Sequence, residues 1–116
     1  SIDRKINHPV DIIHTEEALL FEIAAVGLAK KDIELQVEDG NCLKVSYSKP
    51  KIESNNSDID AGEYIHRGIA KRSFDLGWKI SPKFDLTKIK ASMENGLLKI
   101  EIPVTPESKP KSITIK

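Results

Sequence analysis

Ile89-Lys90-Ala91-Ser92-Met93-Glu94-Asn95-Gly96-Leu97-Leu98-Lys99-Ile100-Glu101-Ile102-Pro103 is the stretch on which the fold turns. Ile89, Ala91 and Met93 alternate with Lys90, Ser92 and Glu94. A period of two places the apolar set on one face of an extended strand. Asn95-Gly96 supplies the pair that a tight hairpin needs, because both central residues of a type I′ turn take positive φ. Leu98, Ile100 and Ile102 alternate with Lys99 and Glu101 on the way back, and Pro103, which has no backbone N–H for a ladder, ends the strand.

The same grammar extends upstream. Ile33, Leu35 and Val37 alternate with Glu34, Gln36 and Glu38, Asp39-Gly40-Asn41 reads as a hairpin turn, and Leu43, Val45 and Tyr47 return. Ala18 to Val26 is apolar on both faces and is expected to be a strand covered on much of both sides, broken by Gly27. Val10 to His14 is a short opening strand. From Lys49 to Gly62 the periodicity fails in a run of Pro, Ser, Asn, Asp and Gly, which predicts a long polar loop. Tyr64 to Arg67 then reads as a short strand and Ile69 to Trp78 as a longer one, with Ala70, Arg72, Phe74, Leu76 and Trp78 on one face. Arg72 on that face is expected to be partly buried and to need a carboxylate or carbonyl partner. Asp85 to Lys90 has room for a turn at most after Pro82. Short strands separated by turns, without a convincing helix, predict an all-β fold, an immunoglobulin-like sandwich of two antiparallel sheets.

Composition narrows the function. The 116 residues fit one domain. Charged residues make up 31% of the chain and cancel to a net charge of zero. That balance gives no electrostatic case for nucleic acid or an anionic membrane and permits self-association. The longest apolar runs are far too short to span a bilayer. No Gly-rich loop leads into Lys-Ser or Lys-Thr, so no nucleotide is expected. His8, His14 and His66 lack metal-ligand spacing. Cys42, the one cysteine, sits beside a hairpin turn with no orienting third group and reads as a small packing residue in a reducing compartment, the cytoplasm. Asn55-Asn56-Ser57 matches a glycosylation acceptor by chance in such a setting. Ser1 opens the chain without an initiator Met, as in a processed or trimmed protein. No catalytic residues, metal or cofactor are expected, and the chain is not expected to be an enzyme.

Thr105 to Ser112 is rich in Pro, Lys, Ser and Glu and reads as an extended tail ending in Ile113-Thr114-Ile115-Lys116. Ile113 and Ile115 fall on one side of an extended strand. They suit a closing strand on their own domain, a frayed end, or a peptide that adds to a sheet edge and fills two apolar pockets.

Ala91, Asn95, Gly96, Leu97 and Leu98, followed by Pro103, resemble the signature near the end of the α-crystallin domain of small heat-shock proteins: Ala, three variable residues, Asn-Gly, two aliphatics. Tyr64 to Phe74 is similar to the family's segment ending in Arg-x-Phe, and its Gly68-Ile69-Ala70 run is most like the bacterial inclusion-body-binding subgroup. Val10-Asp11-Ile12, Gly27-Leu28 with Lys31-Asp32-Ile33, and the Ile-x-Ile tail resemble further family segments. The resemblance implies a domain over 10–104, a remnant of an N-terminal arm over 1–9 and a C-terminal tail over 105–116. It implies a dimer in which the loop and strand over 49–67 cross to a second subunit, with Tyr64, Ile65, His66 and Arg67 pairing there with the opening strand. It implies a structural role for Arg72, and docking of Ile113 and Ile115 in a groove formed by Ile33, Leu35, Val37, Ile89 and Ala91, which is also offered to clients. The implied function is that of an ATP-independent holdase, binding itself and partly unfolded proteins, with higher oligomers where a full N-terminal arm is present. A co-chaperone adaptor domain of the CS type and a structural β-sandwich without chaperone function are the alternatives.

Overall fold

The computed structural model describes residues 8–48 and 73–116. The expectations for the arm ahead of His8, the polar loop Lys49 to Gly62, the exchanged strand Tyr64, Ile65, His66 and Arg67, and Arg72 lie outside the described residues.

The alternating segments become seven strands: β1 (Val10–His14), β2 (Ala18–Ala24), β3 (Ile33–Glu38), β4 (Cys42–Tyr47), β5 (Phe74–Lys79), β6 (Lys90–Glu94) and β7 (Leu97–Pro103). They form two antiparallel sheets, one in the order β1-β2-β7-β6 and the other in the order β3-β4-β5. Register follows the hydrophobic pattern, since a slip of one residue would turn every apolar side chain to solvent. In the larger sheet Ile12, Phe21, Ile100 and Ala91 form one cross-strand row, and Val10, Ile23, Leu98 and Met93 form the next. In the smaller sheet the rows are Ile33, Tyr47 and Phe74; Leu35, Val45 and Leu76; and Val37, Leu43 and Trp78. Phe21, Ile23, Leu43, Val45, Ile100 and Ile102 are the large side chains most fully sealed between the sheets. Burial of each contributes about 1.5–3 kcal/mol. Phe21 meets Trp78 across the interior, with ring centroids 4.7 Å apart.

The turns match their sequences. Asn95 and Gly96 take φ of 51° and 78°, and Asp39 and Gly40 take 53° and 70°, the positive values of type I′ turns. In the second case Asn41 is an additional residue before the Glu38–Cys42 pair. Asp85 to Lys90 holds a single 3-10 turn, Leu86–Lys88, capped by the Asp85 carboxylate, which accepts from the Thr87 amide.

Two boundaries differ from expectation. The strand expected from Ala18 to Val26 stops at Ala24, because its partner β7 begins opposite it at Leu97; the Ala25 amide makes one last bond, to the Gly96 carbonyl in the turn, and Gly27 then turns the chain at φ 79°. Val26 is consequently exposed instead of facing a sheet. Over the described part of the strand expected from Ile69 to Trp78, pairing begins at Phe74 and runs to Lys79.

Candidate functional site

Every open sheet has two unpaired edges, and these are the places where a second chain can add. Here β3 is an edge of the smaller sheet and β6 an edge of the larger one. A groove of about 200 Å³ lies between them, lined by Lys30, Ile33, Leu35, Ala91, Ser92, Met93 and Leu98. A cavity of about 150 Å³ lined by aliphatic and aromatic residues suffices for benzene. The groove therefore has room for a large aliphatic side chain.

Of the residues expected in this groove, Ile33, Leu35 and Ala91 are brought together at its wall. Val37 is outside that lining, one inward position farther along β3, and is 41% exposed. Ile89 is also outside it, half-buried and packed against the core. Sequence reasoning missed Met93 and Leu98 as groove residues, although the alternation that selected Ala91 also places Met93 on its face. Lys30 gave no comparable signal, because it lies in the short 3-10 turn Lys30–Asp32 rather than on a strand. Of the hairpin residues, Leu98 is buried in the core, while Asn95 and Gly96 make the turn.

The tail leaves the domain by a built path. The Val104 amide donates to the Glu17 carbonyl at 2.9 Å, and the Thr105 amide to the Lys83 carbonyl at 2.9 Å. A 3-10 turn, Pro106–Ser108, follows, and Lys109 Nζ lies 3.3 Å from Glu17 Oε1. Beyond this anchor Ile113 and Ile115 are 86% and 92% exposed. They do not pack on their own domain as a closing strand would.

The opposite edge of the larger sheet, β1, presents Ile12 at 51% exposure along with Ile13. His8 packs on Phe74 and His14 meets Phe84 edge-on, so both histidines are in aromatic contacts. Cys42 is half-buried on the strand face opposite Leu43 and Val45, paired in register with Glu38 and Lys79. Among the described residues no three His, Cys, Asp or Glu side chains converge as a metal site would require. Among the same residues no helix is long and apolar enough to cross a membrane.

Comparison with known proteins fits this architecture. Residues 11–116 match the family described as Hsp20/alpha crystallin. By sequence the chain is 36% identical over 111 residues to the 17.6 kDa class I heat shock protein 3 of Arabidopsis thaliana, covering 94% of this chain and 68% of that protein. It is 36% identical over 110 residues to a 17.4 kDa class I heat shock protein of Oryza sativa subsp. japonica, covering 91% and 68%. The chain thus spans about two-thirds of the length of these relatives. Among solved structures, heat shock protein 16.0 from Schizosaccharomyces pombe superposes with a TM-score of 0.71 at 24% identity over 97% of this chain and 100% of that one. Small heat shock protein AgsA from Salmonella typhimurium superposes with a TM-score of 0.67 at 26% identity over 95% and 100%. The expected link to the bacterial inclusion-body-binding subgroup is corrected here: these sequence relatives are plant class I proteins, and the short Gly68-Ile69-Ala70 run on which that link rested carries too little information to assign a subgroup. Matched from Asp11 to Lys116, the chain belongs to the Hsp20/alpha crystallin family, the small heat-shock chaperones, which are not enzymes.

Proposed function

We propose that this protein is an ATP-independent holdase that binds aggregation-prone segments of partly unfolded proteins and keeps them soluble. One observation carries the reading: an apolar groove of about 200 Å³ stands open between β3 and β6, edge strands that pair with no further strand among the described residues. A monomeric protein gains nothing from such an opening, whereas a chaperone uses it. The Ile-x-Ile tail fits the same groove on a second copy. Burial of one isoleucine contributes about 1.5–3 kcal/mol. Two give roughly twice that at most, before the cost of ordering about ten flexible residues and of association. The small remainder makes the tail a reversible clip that competes with clients for one site. Replacing Ile113 and Ile115 with serine is expected to shrink the assemblies while the domain stays folded.

The unit of assembly in this reading is a homodimer in which Tyr64 to Arg67 of one copy pairs with β1 of the other. The exposed Ile12 and Ile13 on that edge support it, and such exchange is a low-cost route to a twofold dimer. Arg72 serves structure rather than chemistry. The working compartment is the cytoplasm, in keeping with the single unpaired thiol, Cys42. Suppression of the heat aggregation of a labile client without nucleotide tests the reading. A client that scatters light as strongly with the protein as without it rejects it.

A further inference from the structure

The β3 edge and the tail share a pattern longer than the two isoleucines. Ile33, Leu35 and Val37 recur at every second residue of β3, and Lys111, Ile113 and Ile115 recur at every second residue of the tail. Each step of two residues advances about 6.8 Å along an extended strand. If the tail runs antiparallel to β3, Ile115 lies over Ile33, Ile113 over Leu35 and Lys111 over Val37. If it runs the other way with both isoleucines in the groove, Lys111 falls at the end occupied by Lys30 and Lys31.

Charge distinguishes the two directions. Lys30 lines the groove and Lys31 beside it is exposed, while the one carboxylate there, Asp32, already accepts from the Ala29 amide at 2.8 Å, so that end stays net positive and disfavours a third lysine. At the far end Val37 is 41% exposed, an uncovered aliphatic surface, and it is followed by exposed Glu38 and Asp39. Among the described residues neither of these carboxylates enters an ion pair, and neither does Lys111, whereas Lys109 is already held by Glu17 at 3.3 Å. A lysine suits such a place because its methylene stem covers apolar surface while its ammonium stays in water beside a carboxylate.

We propose that Lys111 is a third anchor of the tail of a second copy, its stem crossing Val37 at the end of the edge strand β3 and its ammonium reaching round that edge to Glu38 on the other face, and that this contact fixes the direction in which the tail enters the groove. The proposal rests on the tail docking of the preceding section. It makes the clip salt-sensitive, since an exposed pair fades as the screening length falls to about 3 Å near 1 M salt.

The test uses the full chain and its concentration-dependent self-association at low ionic strength. Glu38→Lys and Lys111→Glu should each weaken association about two- to fivefold, the range for an exposed pair. The double variant should return to wild-type association, and high salt should erase the differences. Circular dichroism checks that each variant is folded. In a Cys42→Ser background, the pair Val37→Cys with Lys111→Cys should form a disulfide between copies, and Lys31→Cys with Lys111→Cys should not. Single charge variants that associate like wild type, a double variant no stronger than the singles, or the reverse cross-link overturns the proposal. Ile113→Ser with Ile115→Ser separates the two claims. If that variant loses association while the charge swap does nothing, only the Lys111 anchor fails. If it associates normally, the tail docking fails and the anchor with it.

Discussion

His8 rests on Phe74, with ring centroids 4.2 Å apart and planes inclined by 35°, while its Nε2 lies 2.7 Å from the Ala24 carbonyl oxygen. One side chain ahead of β1 therefore joins the end of β2 in one sheet to the start of β5 in the other. The ring contact is worth about 0.5–1.5 kcal/mol and the hydrogen bond about 1 kcal/mol. His8→Ala should destabilise the domain by about 1–2 kcal/mol, and His8→Phe, which keeps the ring and loses the bond, by less. Urea denaturation of the two variants measures the order.

Burial along a single cross-strand row makes a sharper comparison. Ile12, Phe21, Ile100 and Ala91 are neighbours in one register, but Ile100 is sealed and Ile12 is 51% exposed. Ile100→Ala should cost about 2–5 kcal/mol because it leaves a cavity. Ile12→Ala should cost the monomeric fold no more than about 0.5 kcal/mol. Equal losses by chemical denaturation would mean that the sandwich is not packed as described.

The two hairpin glycines should differ in the same way. Both have positive φ, so an alanine at either costs about 1–2 kcal/mol from the backbone alone. A Cβ at Gly40 meets nothing within 4 Å, whereas one at Gly96 comes within 3.2 Å of Val26 Cγ2. Gly96→Ala should therefore be the more damaging, and a Val26→Ala background should remove the excess. Melting temperatures of wild type, Gly96→Ala, Val26→Ala and their combination close this double-mutant cycle, with Gly40→Ala as the reference for the backbone cost alone.

Asp85 gives the fold an acid-sensitive element. The Thr87 hydroxyl, donating to the Asp85 carboxylate, is the main cause that holds it below its ordinary 3.8; partial desolvation opposes this, and the Thr87 amide and Lys88 assist. A carboxyl lowered on folding contributes stability that is complete above its unfolded value and lost as pH falls through the folded one. Asp85→Asn should therefore be less stable than wild type near neutrality, and the gap should close as pH falls through the lowered folded value of Asp85. Denaturation curves recorded near neutral and at acid pH test the closure.

The fold was legible because its signals are local. Asn95-Gly96 between two alternating runs specifies β6 and β7 within fifteen residues, and no distant contact is needed to interpret it. The groove was legible only in part. Alternation selects Ile33, Leu35 and Ala91 as inward-facing, yet which inward residues meet depends on how the sheets stack. Alternation marks Met93 and Leu98 as apolar-face residues without saying that they meet β3, Lys30 carries no pattern signal at all, and Val37 and Ile89 lie outside the lining. Val26 fits a strand by composition, but β7 begins at Leu97 opposite Ala24, so no partner strand reaches Val26. His8 on Phe74 had no sequence signal, because no pattern in either segment marks the other.

Light scattering from a heat-labile client, titrated with this protein in the absence of nucleotide, decides whether the chain is a holdase. Scattering should fall in proportion to added protein, ATP should change nothing, and the protected client should remain in soluble complexes competent for refolding. A client that aggregates at its unprotected rate with this protein in excess would contradict that function.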